Sequence, residues 1–192
     1  IRLKGKLRSW GGSYLFSCAV GIRTETYGYN VVAFNDSEDL SHNVWLDRNG
    51  SRNIILRNIG KSGSNNVFNE SRCTANVVQE NISVNMSAGY MSAYYDETGW
   101  TYDTRLVNNV SFNNTDGFVI RKSVEDEVRN NISYNNSRHN LRFMEEAFPG
   151  ISPGEGHPGG PHVYKNNLWY SDTKTNSIEY RGTSVSVPVF QS

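Results

Sequence analysis

Two acidic residues, Asp47 and Glu70, are followed along the chain by three basic ones, Arg121, Lys122 and Arg142. Carboxylates hold hard divalent cations through oxygen, and Ca2+ suits such a set. Arginine neutralises an anion with a planar, forked guanidinium. A lysine beside another cation gives up its proton more readily, which suits it to act as a base. Asp96, Glu97 and Asp116 add three further carboxylates to the candidate metal ligands. Trp45, Tyr94, Tyr95 and Trp100 offer flat apolar faces on which sugar rings can stack. The four histidines, His42, His139, His157 and His162, follow no metal-ligand spacing, and Gly154 to Gly160 reads as a flexible loop rather than a phosphate cradle. Chemistry would need these scattered side chains gathered on one surface.

A repeat supplies that surface. Of 192 residues, 24 are Asn and 17 are Gly. Asn81-Ile-Ser-Val-Asn85, Asn109-Val-Ser-Phe-Asn113 and Asn131-Ile-Ser-Tyr-Asn135 are near copies, with looser ones at Asn58, Asn167 and Asn30. These starts are separated by 28, 23, 28, 22 and 36 residues, as expected of a 22- or 23-residue unit interrupted by insertions. Apolar residues hold register within the unit. Ile55, Val78, Leu106, Val128 and Tyr164 lie three before the Asn; Ile59, Ile82, Val110, Ile132 and Leu168 lie one after it; Val84, Phe112, Tyr134 and Tyr170 lie three after it. Val67, Tyr90, Phe118 and Leu141 open another strand further on. Alternate residues of a strand share a face, so all these columns are expected to stack inward. The leading Asn is expected to take the left-handed turn between strands and to bond its counterparts as a ladder. The expected fold is all-β: a right-handed single-stranded parallel β-helix of about six to seven rungs of 22–23 residues, with an Asn ladder and two loop insertions.

The insertions run over 95–104 and 145–161 and should leave the same corner two rungs apart, walling a groove. Alternation places Trp45, Asp47, Phe68, Glu70, Met91, Ala93, Val119, Arg121 and Arg142 on the outward face between them, with Lys122 alongside.

The sequence reads as a single domain over 1–192, with an irregular or capping start at 1–20 and a tail at 183–192. It begins at Ile1, as a mature form or a piece of a larger protein would. Its 19 basic and 19 acidic residues balance, which disfavours nucleic acid as a partner, and no apolar run is long enough to insert in a membrane. Cys18 and Cys73 should fall at different corners without a mutual disulfide. Nine Asn-x-Ser/Thr triplets occur, and the repeat itself writes those at Asn81, Asn109 and Asn131. No helix precedes the first rung, so the end rungs are candidate surfaces for self-association.

The repeat, the segment His162 to Ser171, and Asn114-Thr-Asp-Gly-Phe118 together resemble the parallel β-helix superfamily of pectate lyases and related polysaccharide lyases. The resemblance covers about residues 25 to 182 and lies mostly in the scaffold. It implies an extracellular or periplasmic, carbohydrate-active protein that cleaves an acidic, uronate-containing polysaccharide by Ca2+-assisted β-elimination. Asp47, Glu70, Asp96, Glu97 and Asp116 would then hold the metal, with Lys122, Arg121 and Arg142 at the reacting centre. The tight acidic clusters of the calcium-dependent lyases, and the paired aspartates of the hydrolases of this fold, are missing from the sequence. A non-catalytic module for carbohydrate binding, adhesion or assembly is the alternative.

Overall fold

In a computed structural model of the chain, the described residues are 2–4, 8–11, 14–16, 20–25, 28–47, 49–70, 72–93, 101–121, 123–144, 162–171, 178–180 and 183–185. All regular structure among them is β-strand, and the pairings are parallel except between Ile178–Tyr180 and Thr183–Val185. The long sheet stacks Val20–Glu25, Asp36–Asp47, Ile59–Glu70, Ile82–Ala93, Asp116–Arg121 and His139–Met144 in chain order. A second sheet stacks Asn30–Ala33, Ile54–Leu56, Val77–Gln79, Arg105–Val107, Glu127–Arg129 and Val163–Lys165, also in chain order. Each repeat therefore contributes to both sheets, and equivalent residues meet: Val84 opposite Phe112, Phe112 opposite Tyr134, Tyr134 opposite Tyr170.

The core lies between the sheets. Ile22, Val44, Val67, Tyr90, Phe118 and Leu141 form one column, and Val32, Ile55, Val78, Leu106 and Val128 face them. Two of the four columns expected inward therefore lie in the core, except that Tyr164 is exposed. Tyr90 keeps its hydroxyl satisfied by donating to the Asn81 carbonyl at 2.6 Å.

The ladder is present at one corner through Asn35, Asn58, Asn81, Asn109, Asn131 and Asn167. Each side-chain oxygen accepts from both the backbone N–H and the Nδ2 of the preceding member, as Asn131 does from Asn109 at 2.9 and 3.1 Å. Asn30 belongs instead to a second ladder with Asn53 and Asn76, which runs on through Thr104, Asp126 and His162. The left-handed turn also falls elsewhere than expected. Positive φ is found one residue earlier, at Phe34, Arg57, Glu80, Asn108, Asn130 and Asn166, and at Tyr29, Arg52 and Ala75 before the second ladder. The ladder Asn is chosen for its side-chain bonds, and its predecessor bears the strained backbone.

One set of strand faces is reversed from expectation. Ile82, Ile132 and Leu168 are 38%, 43% and 46% exposed, whereas Ser83, Ser111 and Ser133 between the apolar columns are fully buried. Val84, Phe112 and Tyr134 share the outward face with them, half-buried, and Phe112, Tyr134 and Tyr170 stack ring on ring at 5.3 and 5.4 Å. The reason is interior width. A Cβ added at Gly117 would lie 2.1 Å from Ser133 Oγ and 2.4 Å from the Asn140 carbonyl oxygen, so this side of the interior admits only small residues.

Burial also sorts the Asn-x-Ser/Thr triplets. Asn35, Asn69, Asn81, Asn109 and Asn131 are buried, while Asn49, Asn85 and Asn113 are exposed.

Candidate functional site

The outward face of the long sheet carries the charged residues in columns set by strand register. One column runs His42, Asn65, Ala88, Asp116 and His139; the next runs Arg23, Trp45, Phe68, Met91, Val119 and Arg142. A groove of about 300 Å³ crosses four strands of this face. Ser64, Asn65, Ser87 and Ala88 line one end, where side chains are small. Arg121, Arg138 and Arg142 line the other with Asp116, and Met91, Val119 and Met144 supply apolar wall.

The arginine end is held by a chain of charges. Asp116 is buried and takes Arg138 Nε at 2.9 Å, with Nη2 on its other oxygen. Its hydrogen bond pushes the Arg138 guanidinium above the ordinary arginine range. His139 lies 3.2 Å from Asp116 through Nδ1 and 3.2 Å from Glu179 through Nε2. Arg142 Nε lies 3.2 Å from the same Glu179 oxygen. Asp116 thus fixes the Arg138 guanidinium at the edge of the sheet, and Arg142 stands within ion-pair distance of Glu179.

Of the candidates read from sequence, Arg121, Arg142 and Asp116 meet in this groove. Asp47 does not: it is buried and bonded by Arg23, with Nε at 2.9 Å. Glu70 accepts from Trp45 Nε1 at 2.6 Å. Trp45 itself sits between the Arg23 guanidinium, 4.4 Å from its ring centroid, and Phe68 at 6.0 Å, so its ring stacks on the protein's own side chains. Among the described residues no three His, Cys, Asp or Glu side chains gather to hold a metal ion. The three described carboxylates stand on different strands, and each is engaged by a protein partner: Asp47 by Arg23, Glu70 by Trp45 and Asp116 by Arg138. Tyr94, Tyr95, Asp96, Glu97, Trp100, Lys122, Cys18, His157 and the loop 145–161 lie outside the described residues. The end of the other insertion is a strand, Thr101–Tyr102, paired with Ser123–Val124. Cys73 is buried and free.

Arg138 escaped the sequence reading. Its signal was the period itself, because it follows Asp116 by 22 residues, one unit further along. Arg57 and Glu80, 23 apart, pair by the same arithmetic.

A buried polar nest lies at another corner. Ser92, Thr101 and Ser123 bond one another, and Ser123 donates to Asp126, which occupies a position of the second ladder. Burial, against the hydrogen bonds from Ser123 and Thr104, raises the Asp126 carboxyl to about 7. An acid whose folded pKa lies above its unfolded value costs stability as pH rises from the unfolded to the folded value, and the cost stays constant beyond. Asp126→Asn should therefore stabilise the protein by about 1–3 kcal/mol at pH 8 and change little near pH 4. Thermal unfolding across that range checks it; parallel stability curves for the two proteins would refute it.

Comparison with family models, with curated proteins and with solved structures finds no match to the chain.

Proposed function

We propose that the protein is a right-handed parallel β-helix, akin in scaffold to polysaccharide lyases, that binds an acidic polysaccharide outside the cytoplasm. Two sheets that both follow chain order, linked by asparagine ladders, support a coil of rungs. The observation that carries the functional reading is the groove in which Arg121, Arg138 and Arg142 converge on a sheet face. Its apolar wall suits the C–H faces of sugars and its guanidinium groups suit uronate or sulfate. Among the described residues the lining contains one carboxylate, Asp116, already bonded to Arg138, which is not the pair that two-carboxylate hydrolysis uses.

Pectate, alginate and glycosaminoglycans form the test panel, with affinity measured across ionic strength. At least one should bind, more weakly as salt rises. Arg121→Ala combined with Arg142→Ala should lower that affinity by about tenfold or more while leaving the melting temperature near wild type. Absence of binding across the panel sinks the reading.

β-Elimination is a second reading, favoured by the position of Arg121 and Arg142 in the groove and by Lys122, which follows Arg121 in the chain. The guanidinium groups would neutralise the uronate carboxylate and acidify the adjacent C–H. The neutral Lys122 amine would take that proton, and the electron pair would form the new C=C as the glycosidic C–O bond breaks. The departing oxygen would leave as an alcohol by taking a proton from water. Unsaturated product, read by ultraviolet absorbance with added Ca2+ and with chelator, separates an enzyme from a binding module and reports any metal requirement.

A further inference from the structure

We infer that the groove takes a polymer in which anionic residues alternate with neutral ones, in preference to an unbroken chain of uronates. This rests on the acidic-polysaccharide reading and names the substrate class for the same site. The groove crosses four strands, so its length is about 14 Å at the spacing of paired strands, enough for two or three sugar units.

Charge is distributed unevenly along that length. Among the described lining residues, the cations stand at one end, on or beside the strands Asp116–Arg121 and His139–Met144. The other end, on Ile59–Glu70 and Ile82–Ala93, presents Ser64, Asn65, Ser87 and Ala88. The Asn65 amide already meets His42 Nδ1 at 3.0 Å. Beyond this end, on neighbouring columns, Glu70 accepts from Trp45 and Asp47 is ion-paired with Arg23.

A homopolyuronate lying along the groove would set one carboxylate among the arginines and the next over the serines. There it would lose water without meeting a cation, a cost that no ion pair offsets. A neutral residue in the same place meets groups that match it, since the Ser64 and Ser87 hydroxyls both donate and accept toward sugar hydroxyls or an acetamido group. Specificity would then come from the empty end as much as from the charged one, because a wrongly placed charge is rejected more strongly than a neutral group is attracted.

The test measures binding of the full chain to hyaluronan and chondroitin, which alternate a uronate with a neutral or acetylated sugar, beside length-matched polygalacturonate and neutral dextran. An alternating polymer should bind at least about tenfold more tightly than polygalacturonate, and dextran should not bind. Ser87→Arg should narrow that gap by supplying a second cation; Ser64→Arg is the companion variant, and melting curves verify that both fold. Polygalacturonate binding as tightly as the alternating polymers overturns the inference and leaves the acidic-polysaccharide reading standing. A gap unchanged by both variants overturns the placement of the neutral subsite. Failure of every anionic polymer to bind removes both.

Discussion

Replacing Asn109 with Leu should lower the stability of the protein by about 2–5 kcal/mol, since each buried polar group left unpaired costs about 1–3 kcal/mol. Asn109 Oδ1 accepts from the backbone N–H and Nδ2 of Asn81 at 3.0 and 3.1 Å, and Asn109 Nδ2 donates to Asn131 Oδ1 at 3.1 Å and to the Val78 carbonyl at 2.8 Å. Leu removes all these side-chain bonds and strands their partners in a site shielded from solvent. Backbone strain plays no part, because the left-handed residue is Asn108 and it is unchanged. Asp in the same position retains the acceptor but buries a carboxylate, so it should recover part of the loss only at low pH. Denaturant unfolding of the variants is the measurement, and a cost for Asn109→Leu below that of an exposed substitution would remove the ladder from the account of stability.

Phe118→Ala should cost about 3–5 kcal/mol, the range for deleting a buried aromatic side chain. Phe118 is fully buried, stacks on Tyr90 at 4.8 Å and meets Trp169 in a T-shaped contact at 5.5 Å. Phe112→Ala makes the internal comparison. Its ring stacks on Tyr134 on the outward face and is half-buried, so its loss should cost clearly less, about 1–2 kcal/mol. Equal costs at the two positions would show that the short strand Val110–Phe112 has its faces the other way round.

That contrast marks how far alternation can be read. In Ile82-Ser-Val, Val110-Ser-Phe and Ile132-Ser-Tyr the pattern apolar–small–apolar says that two faces differ. Inference from hydrophobicity turns the apolar one inward. The structure turns it outward because Gly89, Gly117 and the serines pass too closely for larger side chains. The width between opposing walls is a property of the whole stack, and no single repeat encodes it.

The candidate site divides along the same line. Outward placement of Arg121 and Arg142 was legible, since the period and the alternation of Asp116–Arg121 and His139–Met144 are local. Asp47 and Glu70 shared that face in sequence, yet their nearest partners, Arg23 and Trp45, are 24 and 25 residues away. Those contacts turn both carboxylates to internal use. Arg138 enters the groove through the reverse of the same effect, drawn in by Asp116.

The sequence by itself determined the repeat, the all-β character, the asparagine ladder and the core columns through Val67, Tyr90, Phe118 and Leu141. Each follows from residue type at a fixed spacing, which a single repeat already contains. Tertiary structure alone decided which face of the short strands is wet, which asparagines form the second ladder, and which charged side chains meet one another. These depend on neighbours about one repeat away, where close approach and opposite charge choose among side chains that the sequence leaves equivalent.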